Sequence, residues 1–141
     1  MNIEIRTHQV SKSSWATEAF KTYSKKISHF CGFEFKQLKS EKSLIQNISP
    51  QDKVILCDER GKNFSSREFA KKIEVMRDSG SRKIIIIIGG PFGAEEDVKE
   101  RADLTITLSS FVMNQEVALV TLFEQVFRAF TIINNHPYHN D

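Results

Sequence analysis

The chain is poor in the residues that staple, stiffen or anchor a polypeptide. Its 141 residues include two cysteines, three prolines, six glycines and one tryptophan. Cys31 and Cys57 make no disulfide framework, and neither sits in a C-x-x-C pair. A fold held by cross-links is therefore excluded, and the expectation is a cytoplasmic protein with reduced thiols. Long apolar runs are missing too. The longest, Ile84 to Ile88, falls far short of the roughly 20 residues that span a bilayer. The opening Met1-Asn2-Ile3-Glu4-Ile5-Arg6 alternates charge with β-branched residues and lacks the apolar segment of a signal peptide. No internal repeat, low-complexity stretch or Pro/Gly-rich linker divides the sequence, so a single domain over residues 1–141 is expected.

What is present suits a folded core. Hydrophobic residues make up 40% and charged residues 27%, a balance outside the disordered range. The net charge of +2 hides an asymmetry. Residues 1–83 hold 17 Lys and Arg against 10 Asp and Glu; residues 84–141 hold 3 against 8. A basic first part of this kind suits either a nucleic-acid surface or a set of solvated helix faces.

Periodicity alternates between two and 3.6. Asn2–Thr7 reads as a strand. Ser11–Phe30 reads as a helix with Trp15, Ala19, Tyr23, Ile27 and Phe30 on one stripe. Gly32 breaks it before a strand around Phe33-Glu34-Phe35, and residues 39–50 read as a loop with a helical turn. Lys53–Asp58 is a third strand, followed by the charged loop Glu59-Arg60-Gly61-Lys62. Ser65-Ser66-Arg67-Glu68 is a capping box that opens a helix ending near Gly80. Five consecutive isoleucines, Ile84–Ile88, predict a central parallel strand covered on both faces. A short helix Glu95–Arg101, a fifth strand Leu104–Leu108 and a long helix from Gln115 to about Asn134, capped by Asn114, complete the pattern. The expected fold is α/β, with a mostly parallel five-stranded sheet and helices on both faces.

In such sheets ligands bind beyond the carboxyl ends of the strands. Three segments leave those ends: Asp58–Asn63, Gly89-Gly90-Pro91-Phe92-Gly93 and Ser109–Asn114. The glycine turn allows close backbone approach, yet it is neither a G-K-[ST] phosphate loop nor G-x-G-x-x-G. A tight turn without a ligand fits those residues as well. His136 and His139 stand three apart around Pro137 with no cysteine nearby, a poor metal pattern, so no metal is expected. Histidine does exchange protons near neutral pH, and Pro137 with Tyr138 points to an ordered tail. Cys57, at the end of a buried strand, reads as packing.

Several segments together resemble one family. They are Ile86-Ile87-Ile88-Gly89-Gly90-Pro91-Phe92-Gly93, Leu108-Ser109, Glu124-Gln125-Val126-Phe127-Arg128-Ala129 and the closing Asn135-His136-Pro137-Tyr138-His139. In order and spacing, over essentially the whole chain, they resemble the RlmH family of SPOUT-class methyltransferases of the bacterial large ribosomal subunit. The resemblance implies a C-terminal trefoil knot and a homodimer. It implies S-adenosylmethionine as methyl donor and N3 of a pseudouridine in large-subunit ribosomal RNA as acceptor. By position it implies cofactor contacts at Cys57, Gly90, Ser109, Ser110, Phe111, Val112, Met113 and Asn114. Arg128, Tyr138 and His139 fall on catalytic positions, with His139 the base by residue type.

Some positions depart from the family. Cys57 stands where leucine is usual, and Asn140 where the tail is commonly basic. The last loop has Val112, Asn114, Gln115 and Leu119 in place of T-x-P-H and a following arginine. These departures keep open a noncatalytic knotted RNA- or ribosome-binding homologue, and a related methyltransferase with another RNA target.

Overall fold

The computed structural model describes residues 1–8, 13–90 and 93–139, and of His139 only the backbone. The expected helix start at Ser11, Pro91 and Phe92 of the glycine turn, Asn140 and the His139 side chain lie outside the described residues.

Five strands form one sheet: β1 (Asn2–His8), β2 (Gly32–Leu38), β3 (Lys53–Asn63), β4 (Lys83–Ile88) and β5 (Leu104–Thr107). Their order is β2-β1-β4-β3-β5, and all four neighbouring pairs are parallel. The isoleucine run of β4 lies at the centre, as its lack of alternation predicts. Its side chains divide by parity. Ile84, Ile86 and Ile88 pack into the core beneath α1 (Ser14–Ser28), α2 (Ser66–Asp78) and α4 (Gln115–Ile133). Ile85 and Ile87 pack on the other face with Leu44 of a 3-10 helix, Glu41–Ile45, and Val98 of α3 (Glu96–Arg101).

Local signals in the sequence place the helix starts. Ser65 Oγ accepts from the Glu68 amide at 3.1 Å, and the Glu68 carboxylate accepts from the Ser65 amide at 2.8 Å. Asn114 Oδ1 accepts from the Val117 amide at 2.9 Å and opens α4. Asn135, at φ 54°, turns the chain out of α4 before Pro137.

Two expectations need correction. The buried stripe of α1 is Ala16, Phe20 and Ile27, and Trp15 is 51% exposed. Ile27 is buried as expected and Tyr23 and Phe30 pack against the core, while Phe20 takes the place expected of Trp15, its ring 5.0 Å from those of Phe35 and Phe123. Residues Glu59-Arg60-Gly61-Lys62 are strand, not loop. After a bulge between Cys57 and Lys62, β3 resumes pairing with β5 at Lys62↔Ile106 and Asn63↔Thr107. The charged residues of β1 are buried. Glu4 and Arg6 are 1% and 3% exposed and ion-paired to each other. Lys36 and Lys83 reach Glu4 at 3.3 and 3.4 Å. Arg6 donates to the carbonyls of Leu44 and Gln46 at 2.9 and 2.7 Å, which ties the 3-10 segment to the sheet. Burial opposes ionisation of Glu4, but the Arg6 hydrogen bond and the Arg6, Lys83 and Lys36 charges hold its carboxyl below the usual range.

Candidate active site

The bulge of β3 and the segments that follow β4 and β5 open into one cleft of about 680 Å³, within the range of small-molecule sites. Its floor is Cys57, Ile88 and the backbone of Gly89 and Gly90. Its far wall is Val112, Met113, Asn114, Gln115 and Ala118. Asp58, Glu59, Arg60 and Lys99 supply its charge. An apolar annex continues to Thr107, Leu108, Ser109 and Phe111.

Each wall has a local cause. Gly93, at φ +87°, adopts a conformation that favours glycine, and its amide donates to the Gly90 carbonyl at 3.0 Å. That closes the turn after β4. Ser109 Oγ accepts from the Phe111 amide at 2.9 Å and Thr107 Oγ1 donates to the Ser109 carbonyl at 3.0 Å, which shapes the loop after β5. Gln115 Nε2 donates to Thr7 Oγ1 at 2.9 Å and to the His8 carbonyl at 2.7 Å. This amide therefore pins the start of α4 to the end of β1. Burial pushes the Cys57 thiol up to about 12, so Cys57 contributes apolar surface and not a nucleophile.

Of the residues expected at a cofactor, Cys57, Gly90, Ser109, Phe111, Val112, Met113 and Asn114 line this cleft and its annex. Ser110 lies within the same loop, exposed, and is not among the lining residues.

Arg128 and Tyr138 form a separate cluster. Arg128 grips Glu124 with a two-pronged contact, Nε to Oε1 at 3.1 Å and Nη2 to Oε2 at 2.9 Å. Tyr138 donates its hydroxyl to Glu124 Oε2 at 2.8 Å. Its ring lies 4.7 Å from Phe127, and the Arg128 guanidinium lies 5.1 Å from the Tyr138 ring centre. Burial and the Glu124 carboxylate push the Tyr138 hydroxyl up to about 12, so it remains a proton donor at neutral pH. Arg128 lies 13 residues beyond Gln115 on α4, about 20 Å along the helix. Within one chain, then, the cleft and the Arg128–Tyr138 cluster are apart.

Residue type alone did not point to several of these positions. Glu124 has a sequence signal, the i, i+4 spacing to Arg128. Lys99 and the 3-10 residue Glu41, whose carboxylate lies beside Gly90, have none, because only the folded sheet brings them there. Among the described residues, no group of three or more His, Cys, Asp or Glu converges to hold a metal ion. Among the same residues, no helix is long and apolar enough to cross a membrane.

Comparison with known proteins finds a likeness along the whole chain. The family model described as "Predicted SPOUT methyltransferase" matches residues 1–139. A Bdellovibrio bacteriovorus protein named ribosomal RNA large subunit methyltransferase H is 42% identical, over 92% of this chain and 93% of its own. A protein of the same name from Chromobacterium violaceum is 31% identical over the full length of both chains. A solved structure of a probable methylase family protein from Haemophilus influenzae Rd KW20 superposes with a TM-score of 0.53 at 17% identity, over 94% of this chain and 66% of that one. This last likeness concerns the fold alone.

Proposed function

Since the chain belongs to the SPOUT methyltransferase family, we propose that it is an S-adenosylmethionine-dependent methyltransferase of large-subunit ribosomal RNA, acting on N3 of a pseudouridine. The observation that carries the reading is the cleft between the bulge of β3 and the segments after β4 and β5, with its glycine backbone and loop walls. Its residues fit the cofactor. Val112, Met113 and Ala118 offer an apolar slot for an adenine, and Gly89 and Gly90 leave the backbone open to close approach. Asp58 and Glu59 offer acceptors for hydroxyl or ammonium groups.

S-adenosylmethionine supplies a sulfonium methyl group that is open to in-line displacement. The chain's own contribution is to bind and orient the reactants, and the acceptor must lose its N3 proton. His139 is assigned as the base that takes it. Tyr138, held protonated, donates a hydrogen bond and positions the tail through Glu124. Arg128, fixed by Glu124, presents positive charge to the uracil oxygens or a phosphate.

The separation of cleft and tail supports a homodimer in which each site takes its cleft from one copy and its tail from the other. Trp15, Val117, Val120 and Thr121 leave an apolar groove on the outer side of α4, and Phe111 is 84% exposed. The chain path supports a trefoil knot. From the edge strand β5, residues 108–114 must cross the ends of β3 and β4, beside the Asp58–Arg60 arm, to reach Gln115 at the end of β1. The site of action is the cytoplasm, where ribosomes are. The engaged side chain of Gln115 gives that family departure a role in building the cleft, which favours the enzyme over a noncatalytic homologue.

The test is nucleoside mass spectrometry of ribosomal large subunits incubated with purified protein and methyl donor. N3-methylpseudouridine is expected with the native sequence, and roughly 10²-fold less with His139→Ala. No methylated nucleoside would refute the reading. A different one would move the enzyme to another RNA position.

A further inference from the structure

We propose that Lys26 is a phosphate-binding residue for the RNA substrate, a role that rests on the methyltransferase reading. Lys26 lies in the last turns of α1, where its side chain is exposed. Its ammonium stands over three aromatic rings at once: Tyr23 at 5.6 Å, Phe127 at 5.4 Å and Tyr138 at 6.0 Å. Each ring face is electron-rich and attracts the cation without neutralising it. Among the described residues no carboxylate lies within ion-pair distance of Lys26. The nearby carboxylate of Glu124 is already engaged by Arg128 and the Tyr138 hydroxyl. A full positive charge is thus held in place beside the tail that carries Tyr138 and His139.

This arrangement suits one class of ligand. A lysine free in solvent loses side-chain freedom when it binds a phosphate. Three rings restrict Lys26 beforehand, so less is lost. The charge bias agrees, since Lys26 belongs to the basic part of the chain. A phosphate there adjoins the nucleotide presented to the tail, so Lys26 sets the substrate's register and takes no part in the proton transfer.

The experiment compares Lys26→Met with the native protein on purified large subunits. Methionine keeps an apolar stem on the rings and removes the charge. The expected result is a KM for subunits raised about 10-fold with kcat unchanged. Cofactor affinity should also hold. Binding to subunits should lose about 0.7–0.9 from the slope of log affinity against log salt, the signature of one phosphate contact. Lys26→Arg should restore most of the affinity, and Lys21→Met, on α1 away from the rings, should behave as the native protein. An unchanged KM and salt slope would overturn the assignment. So would a Lys26→Met protein that sediments as a monomer, since the charge would then serve the contact between copies. If the native protein neither binds nor methylates subunits, the methyltransferase reading fails and Lys26 falls with it.

Discussion

Gly61→Ala perturbs the link between the sheet and the cleft at a single atom. Gly61 lies in the bulge of β3, directly against β5. A Cβ there would stand 2.4 Å from the carbonyl carbon of Ile106, 2.6 Å from its oxygen and 2.7 Å from its Cα. All three atoms are backbone, so no rotamer change relieves the clash. The arm of β3 must move off β5, which strains or breaks the pairings Lys62↔Ile106 and Asn63↔Thr107. Overpacking costs about 1–3 kcal/mol. Weakened ladder hydrogen bonds add roughly 1 kcal/mol, for a total of about 2–4 kcal/mol. Unfolding entropy near 2.1 cal/mol/K per residue converts that to a melting point lower by roughly 7–13 °C for a chain of this size. The assay is thermal unfolding at fixed protein concentration, because the midpoint of a self-associating protein depends on it. Cofactor affinity by calorimetry should weaken in parallel, since Thr107 and Ser109 at the end of β5 shape the annex. Gly90→Ala is the contrast. Among the described residues its Cβ meets the tip of the Glu41 side chain at 2.6 Å, which can swing away, and His8 Nδ1 at an ordinary 4.0 Å. It should therefore cost less than about 1 kcal/mol, the scale of a relieved surface clash. A Gly61→Ala protein melting within 2 °C of the native one, a gap well under 1 kcal/mol, would refute the reasoning.

Glu4 makes acid stability testable. Its carboxyl titrates below its ordinary 4.5, so its contribution is complete above that value and is lost as pH falls through the lowered one. Glu4→Gln should flatten the fall in denaturant midpoint below pH 4.5, and an unchanged acid limb would contradict the buried ion pair. The two thiols should be nearly inert, because burial pushes Cys31 up to about 11 and Cys57 to about 12. At pH 8 their thiolate fractions are roughly 10⁻³ and 10⁻⁴, so a chromogenic disulfide should release signal only on unfolding. Stoichiometric labelling of the folded protein within a minute would count against that packing.

Much of the fold is legible wherever a signal is local. The isoleucine run specifies a strand buried on both faces, and Ser65 with Glu68 specifies a helix start. The three loops expected at strand ends do come together, and seven of the eight residues that the family resemblance marks line one cleft or its annex. What escapes local reading depends on partners far along the chain. Glu59–Lys62 looks like a loop until Ile106 and Thr107 pair with its far end. Glu4 and Arg6 look like a wet strand face until Leu44 and Gln46 close over them. Trp15 looks like core because it is large, yet it stays half exposed in the groove beside α4. The distance between the cleft and the Arg128–Tyr138 cluster follows from the 13 residues between Gln115 and Arg128 once α4 is read as one helix.

The strand order has a consequence for how the protein is made. β4 lies between β1 and β3, so the first two strands and the third have no ladder in common until residues 83–88 arrive. While the chain leaves the ribosome, β1 and β2 can pair as soon as β2 is out, but β3 must wait with an unpaired apolar edge. The last closure is later still, for Gln115 reaches back more than a hundred positions to Thr7 and His8. Contacts of such separation slow folding, and waiting edges invite pairing with other chains. Nascent-chain experiments should therefore find little protease resistance until β4 has emerged, and native resistance only after the full α4 is free of the exit tunnel.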